Sequence, residues 1–299
     1  MPAIVPAELA ARLGQNGQPV LLRILETGVP LMAFLMMVAV GLDVTRDDLR
    51  RVASRAGTIA VLTLAQVVLL PLAAWLLVPL VPSERIAMFL LLVGACPGGG
   101  MSNVYVYLAR ANTALSVTLT AVSCLAAIVT MPAIFAAYQR ATGSAAGFAL
   151  PLPTLLAQLL VMAVIPVTAG AWVRDRRPQL ERAYGRRFRA FSAAGVAFIV
   201  TIGIVQSAST MNLALVRGGA AATALAAFGM AAGWVVGALL RMSAADRFTL
   251  LVEFAVRNLA IAMVIAVSLL HQPDFVAFGA LALLGQALLL GGAVAIRQR

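Results

Sequence analysis

Lysine is absent from this chain of 299 residues, and all 22 basic side chains are arginine. Acidic residues number 11, histidine one and cysteine two. Charged residues make up 11% of the chain against 62% hydrophobic. A soluble domain of this length needs far more polar surface than that. The two cysteines, Cys96 and Cys124, sit in apolar segments and supply neither a disulfide framework nor metal-ligand spacing. The single histidine, His271, lies in an HQPD loop, and Asp47 and Asp48 have no partner carboxylate at metal spacing. Without a nucleophile–base pair the chain does not read as an enzyme, and no cofactor is expected. The opening stretch MPAIVPAELAARLGQNGQP has no basic start followed by an apolar core, so no cleavable signal peptide is expected. The net charge of +11 gathers in short loops, where arginines act as topology signals. No nucleic-acid partner is therefore expected.

What the chain does have is apolar runs of about 20 residues, the length a helix needs to cross a bilayer. The ~10-residue alternating strands of a membrane barrel are missing. The fold class is an all-α polytopic membrane protein with nine transmembrane helices, over about 20–43, 56–80, 86–110, 114–138, 153–174, 189–208, 217–240, 247–270 and 275–297. One set of loops, with the C-terminal tail, carries 16 of the arginines and the opposite set 5. That asymmetry puts the N-terminus outside and the C-terminus in the cytoplasm, which an odd number of spans requires. The chain divides into a short extracytoplasmic segment over 1–19, a first repeat of four spans over 20–138, a connecting loop over 139–152 and a second repeat of five spans over 153–299. The odd offset inverts one repeat against the other. The third and eighth spans then hold matching places, and both carry the strangest intramembrane sequences. Paired interrupted segments of this kind point to a secondary transporter's binding site.

The first such segment is GACPGGGMSNVYVYLARANTALSVTLT, residues 94 to 120. Pro97 removes a backbone donor, and Gly98, Gly99 and Gly100 weaken the helix further. A break is expected there, with Ser102 and Asn103 capping a new helix start that suits an anion. Ser116 and Thr120, four apart, share a face of the next span. The second segment is LLVEFAVRNLAIAMVIAVSLL, residues 250 to 270, with no proline or glycine to break it. A charge at bilayer depth costs at least ~2.5–3.5 kcal/mol, yet Glu253 and Arg257 both lie here beside Asn258. In an intact helix the two charges would form an internal salt bridge. A buried pair seldom stabilises more than an apolar one, which favours a functional role. Gln66 and Gln286 are further intramembrane polar groups, suited to bonds between helices.

CPGGGMSNVYVYLARANTALSVTLTAVS and LLVEFAVRNLAIAM resemble the two crossover helices of the bile acid:sodium symporter family. MMVAVGLDVTRDDLR resembles the ending of its first core helix, and AQVVLLPLAAW its next helix. The resemblance implies inverted repeats around two crossed broken helices, a core beside a panel domain, and alternating access. It implies a first sodium site from Ser102, Asn103, Ser116, Thr120 and Glu253. A second would use Gln66, Glu253, carbonyls near Val256, and a glutamine where this chain has Arg257. An arginine has no acceptor and cannot ligate sodium through its side chain. Two roles are open to it: to occupy or neutralise the second sodium site, pairing with Glu253 and with Gln66, or to bind a substrate carboxylate.

The expected function is sodium-coupled symport of a small organic anion: a pantoate-like, 2-oxo or bile-acid-like carboxylate. Gly100, Asn103, Asn258 and Gln286 would face it. The alternative is a proton-coupled or sodium-independent organic anion transporter or exporter. The all-arginine composition accords with a bacterium, and so with residence in the inner-membrane bilayer.

Overall fold

The computed structural model describes residues 18–47, 50, 54–81, 83–142, 152–207, 212–270, 272 and 274–298. His271, the middle of the 139–152 loop and all but the end of the 1–19 segment lie outside the described residues. Among the described residues every named element is a helix. In chain order these are α1 Gln18–Asp43, α2 Ala56–Leu77, α3 Glu84–Ala95, α4 Met101–Leu108, α5 Thr113–Thr142, α6 Leu152–Leu159 and α7 Ile165–Arg176. There follow α8 Pro178–Ser207, α9 Leu213–Leu239, α10 Ala244–Ala255, α11 Leu259–Val264 and α12 Phe275–Gln298. Single wide turns over Leu160–Val164 and Ile265–Leu269 run on from α6 and α11.

Among the described residues five stretches are long and apolar enough to cross a membrane: Ala56–Leu80, Thr113–Ala141, Leu156–Arg176, Leu213–Leu239 and Phe275–Gln298. Their outward faces are as apolar as their inward ones. On α2 the buried stripe is Ile59, Leu62, Thr63, Gln66, Leu70 and Ala73, at the three- and four-residue spacing of one helix face. The opposite face carries Val61, Leu64, Val68 and Leu72, all exposed. Leu64 is 62% exposed, Val129 72% and Leu288 79%. A surface of this kind suits hydrocarbon, and a helix apolar all round is what a membrane span looks like.

Two expected boundaries shift. The arginine-rich stretch from 174 to 189, expected as a loop, is mostly helix. α7 runs to Arg176, and α8 starts at Pro178 with Glu181 in its first turn. Proline at a helix start removes an N–H that would be unpaired anyway. Arg189 donates to Asp43 at 2.9 Å and to Glu181 at 3.3 Å, Arg174 pairs with Glu181, and Arg46 with Asp175. These pairs tie the ends of α1, α7 and α8 together. In addition α5 continues to Thr142, into the expected 139–152 loop.

The closest packing relies on missing side chains. Gly229, Gly233 and Gly237 lie at four-residue spacing on α9, a small-residue stripe of the kind that lets membrane helices touch. A Cβ on Gly233 would fall 2.2 Å from the Leu250 carbonyl oxygen, and one on Gly229 2.5 Å from that of Phe254. Gly41 and Gly170 meet in the same way, each against backbone of the other's helix, and join α1 to α7. Phe89, Phe275 and Phe278 pack together in the core, with ring centroids 5.0–5.6 Å apart.

α9 therefore holds α10, and with it Glu253, at backbone distance. Gly233→Leu is expected to cost about 1–3 kcal/mol through overpacking. The unfolding temperature of detergent-purified protein should fall accordingly. Gly292→Ala, where a Cβ meets nothing within 4 Å, should leave it unchanged.

Candidate functional site

Both interrupted segments are broken, and they meet. α3 ends at Ala95 because Cys96 precedes Pro97, and a residue before proline is pushed out of the helical region. Cys96 is extended, at φ −60° and ψ 151°, and the helix restarts at Met101. α10 ends at Ala255, Val256 is extended at φ −84° and ψ 105°, and α11 starts at Leu259. The two unwound stretches pair antiparallel at Gly98 and Arg257. Gly99 N–H donates to the Val256 carbonyl at 3.1 Å, and Asn258 N–H donates to the Pro97 carbonyl at 2.9 Å. Each break thereby satisfies backbone groups orphaned by the other, where there is no water to do so.

Such an approach leaves no room for side chains. A Cβ on Gly99 would lie 2.9 Å from the Arg257 carbonyl oxygen. One on Gly98 would lie 3.1 Å from Glu253 Oε2 and 3.3 Å from Ser123 Oγ. Gly100 faces Val40 on α1, its Cβ position 2.7 Å from that side chain.

Glu253 is fully buried at the end of α10, and three hydroxyls turn toward it. Ser102 and Ser116 donate to Oε1, while Thr120 reaches Oε1 at 3.3 Å and Oε2 at 3.2 Å. Ser116 also lies 2.7 Å from Asn103 Oδ1, so its single proton has two acceptors to serve. Oxygens from α4, α5 and α10 thus converge around one carboxylate, a donor set that suits a hard cation such as sodium. The sequence places Ser102 and Asn103 as caps. Instead Gly100 holds the cap position of α4 without a side-chain bond, and Ser102 and Asn103 lie inside the first turn, Ser102 bonded to the carboxylate and Asn103 to Ser116. It is Asn258 that caps its helix, accepting from Ile261 N–H at 3.1 Å, while its amide donates to Met37 Sδ at 3.3 Å.

Arg257 points elsewhere. No ion pair joins it to Glu253 within 4 Å among the described residues. The internal salt bridge of an intact helix does not form, because the helix ends between the two residues. The guanidinium donates to the Cys96 carbonyl and lies 3.5 Å from Gln66 Oε1. Its Nε and the Gln66 Nε2 are buried without a hydrogen-bond partner.

A mainly apolar cavity of about 50 Å³ opens at the crossing, lined by Met36, Gly100, Asn258, Met263 and Gln286 among others. Of the residues expected to face substrate, Gly100, Asn258 and Gln286 border this cavity, as does Arg257, whereas Asn103 belongs to the hydroxyl cluster. Behind it a void of about 10 Å³ lies between Arg257, Gln286, Leu70 and Phe254, room for about one water. Sequence reasoning missed Ser123, which accepts the Gly98 N–H at 3.0 Å. Its position three residues after Thr120 and seven after Ser116 put it on the same helical face.

Residues 30–213 match the model of the Sodium Bile acid symporter family. The probable sodium/metabolite cotransporter BASS1, chloroplastic, of Arabidopsis thaliana is 29% identical over 242 residues, 80% of this chain and 59% of its own. The uncharacterized sodium-dependent transporter YocS of Bacillus subtilis is 32% identical over 143 residues, 47% of this chain and 42% of its own. A sodium-dependent organic anion transporter of Rattus norvegicus is 32% identical over 170 residues, 56% of this chain and 45% of its own. The chain spans about half the length of the curated relatives it matches.

The crossing depends on Gly99 having no side chain. Gly99→Ala is expected to force the two unwound stretches apart and lower the unfolding temperature in detergent. Gly57→Ala, on α2 where a Cβ meets nothing within 4 Å, is the matched control and should not.

Proposed function

The chain belongs to the Sodium Bile acid symporter family, and from that membership we propose that it is a sodium-coupled symporter of a small organic anion. It works by alternating access in the bacterial inner membrane. The observation that carries this reading is the cluster of Ser102, Asn103, Ser116, Thr120 and Glu253, buried oxygen donors from three helices around one carboxylate. Sodium is the cation we assign to it, because hydroxyl, amide and carboxylate oxygens are hard ligands and no His or Cys joins them among the described residues.

The anion takes the other side of the crossing. There α4 and α11 begin, each turning the positive end of its helix dipole toward the crossing. Gly100, Asn258 and Gln286 border the space it would enter, and the apolar wall of Met36 and Met263 accepts the body of a short carboxylate.

Nine spans follow if the five uninterrupted stretches are joined by α1, α8 and the two broken pairs, α3 with α4 and α10 with α11. The broken pairs then occupy matching places in two inverted repeats, 20–138 and 153–299. In this reading the arginine-rich ends of α1, α7 and α8 lie at the cytoplasmic face. Sodium binding tightens α4, α5 and α10 about Glu253, and the crossing so stabilised offers its helix starts to the anion. Each ligand therefore raises affinity for the other, and the coupling is reciprocal.

The test uses purified protein in liposomes with labelled pantoate, pyruvate and taurocholate. An inward sodium gradient should drive uptake of at least one. Uptake of all three driven equally by a pH gradient without sodium would replace this reading with proton coupling. Ser116→Ala removes a hydroxyl from the carboxylate and should raise the sodium needed for half-maximal uptake about tenfold, as expected for a ~1.5 kcal/mol loss. Glu253→Gln should abolish the sodium dependence.

A further inference from the structure

The buried charges of this protein make a short list. Among the described residues only Glu253 and Arg257 are charged and buried, at 0% and 5% exposure. They have opposite signs and lie four positions apart in one chain segment. When the crossing moves between its two faces, both charges travel with it and their sum is zero. Nevertheless they do not neutralise each other by contact. Glu253 spends its oxygens on Ser102, Ser116 and Thr120, whereas Arg257 turns its terminal nitrogens to the Cys96 carbonyl and Gln66 and leaves Nε unpartnered. The carboxylate stays available to a mobile cation, while the guanidinium fills a separate nest of oxygen acceptors on the other side of the unwound segment.

We propose that Arg257 is a tethered counterion, which limits the carrier to one sodium and one singly charged anion and leaves both translocating forms electrically neutral. The proposal rests on the sodium-coupled reading above and specifies its stoichiometry and substrate charge. Empty, the crossing sums to zero. Loaded with one sodium and a monoanion, it sums to zero again. A second sodium would have to bind within a few ångströms of a fixed guanidinium, and the Cys96 and Gln66 oxygens it could use are already engaged. A dianion would leave one uncompensated negative charge. Arg257 has no acceptor atom and stays charged, so its contribution is present in every step of the cycle. The membrane potential then neither drives nor opposes accumulation. An extra sodium would change accumulation about fiftyfold per 100 mV.

The first test needs sodium alone. Binding of radioactive sodium to purified protein should reach one ion per chain. Arg257→Gln, which removes the charge and supplies a carbonyl oxygen, should bind two. Arg257→Lys, which keeps the charge, should bind one and guards against a folding effect in the glutamine variant. Two sodium ions on the unaltered protein, or one on the Arg257→Gln variant, would overturn the tethered counterion and leave sodium coupling standing. No sodium bound to the unaltered protein would bring down the sodium-coupled reading itself.

The second test uses whichever of labelled pantoate, pyruvate or taurocholate the liposomes take up. At a fixed sodium gradient, a potassium diffusion potential of about −100 mV should leave accumulation unchanged. In Arg257→Gln it should raise accumulation, toward the ~fiftyfold limit for one extra charge. A potential-driven rise in the unaltered protein refutes neutrality.

Discussion

Two backbone hydrogen bonds at the crossing hold the working part of this protein together. Gly99 N–H to the Val256 carbonyl, and Asn258 N–H to the Pro97 carbonyl, pair the gaps of two broken helices. A backbone group buried away from water and left unpaired costs about 1–3 kcal/mol, so an isolated break would be costly here. Two breaks that satisfy each other make the arrangement stable, and each is stable only while the other is present. The glycines at 98 and 99 follow from this, since a Cβ at either position would occupy space held by the opposing strand or by Glu253.

That pairing also decides where every polar side chain goes. Ending α10 at Ala255 leaves Glu253 within its last turn, aimed at the hydroxyls of α4 and α5. Extending Val256 and Arg257 turns the next side chain the opposite way, toward α2 and the Cys96 carbonyl. Starting α11 at Leu259 assigns Asn258 to its cap. Three consecutive roles thus come from a gap of three residues between two helices. The stripe of Gly229, Gly233 and Gly237 makes the gap rigid from behind, because α9 rests directly on the α10 backbone.

Part of this was readable from sequence, and the reasons for the remainder are physical. The first break is local: proline and three glycines cannot hold a helix, whatever surrounds them. Ser102, Ser116 and Thr120 stood out because hydroxyls at one-turn spacing near a break share a direction. The second break was illegible because FAVRNL contains nothing that opposes a helix. Its cause is tertiary, namely the strand-like partner that Pro97–Gly99 supplies. Were that stretch a continuous helix, Glu253 and Arg257 would form an ion pair, which the geometry does not show. Capping by Ser102 and Asn103 failed for a related reason. Ser102 is drawn to Glu253 and Asn103 to Ser116, partners that no local rule can see. Asn258 as a cap, and the glycine spacing on α9, were both legible and were passed over for the charges beside them.

The separation of the two charges is itself informative. Had Arg257 closed on Glu253, the site would be a finished ion pair, and a mobile cation would have to displace a tethered one from the same oxygens. The pair would also bring little stability, because burying both ions costs about as much as their attraction returns. By placing the guanidinium against the Cys96 carbonyl and Gln66, the fold partners it in part with neutral dipoles and leaves the carboxylate ringed by hydroxyls. Such hydroxyls can turn their protons away and offer lone pairs when a cation arrives. Glu253 is therefore free to exchange partners while Arg257 keeps its own, and that asymmetry is what the proposed coupling needs: one charge that binds and releases, beside one that does not.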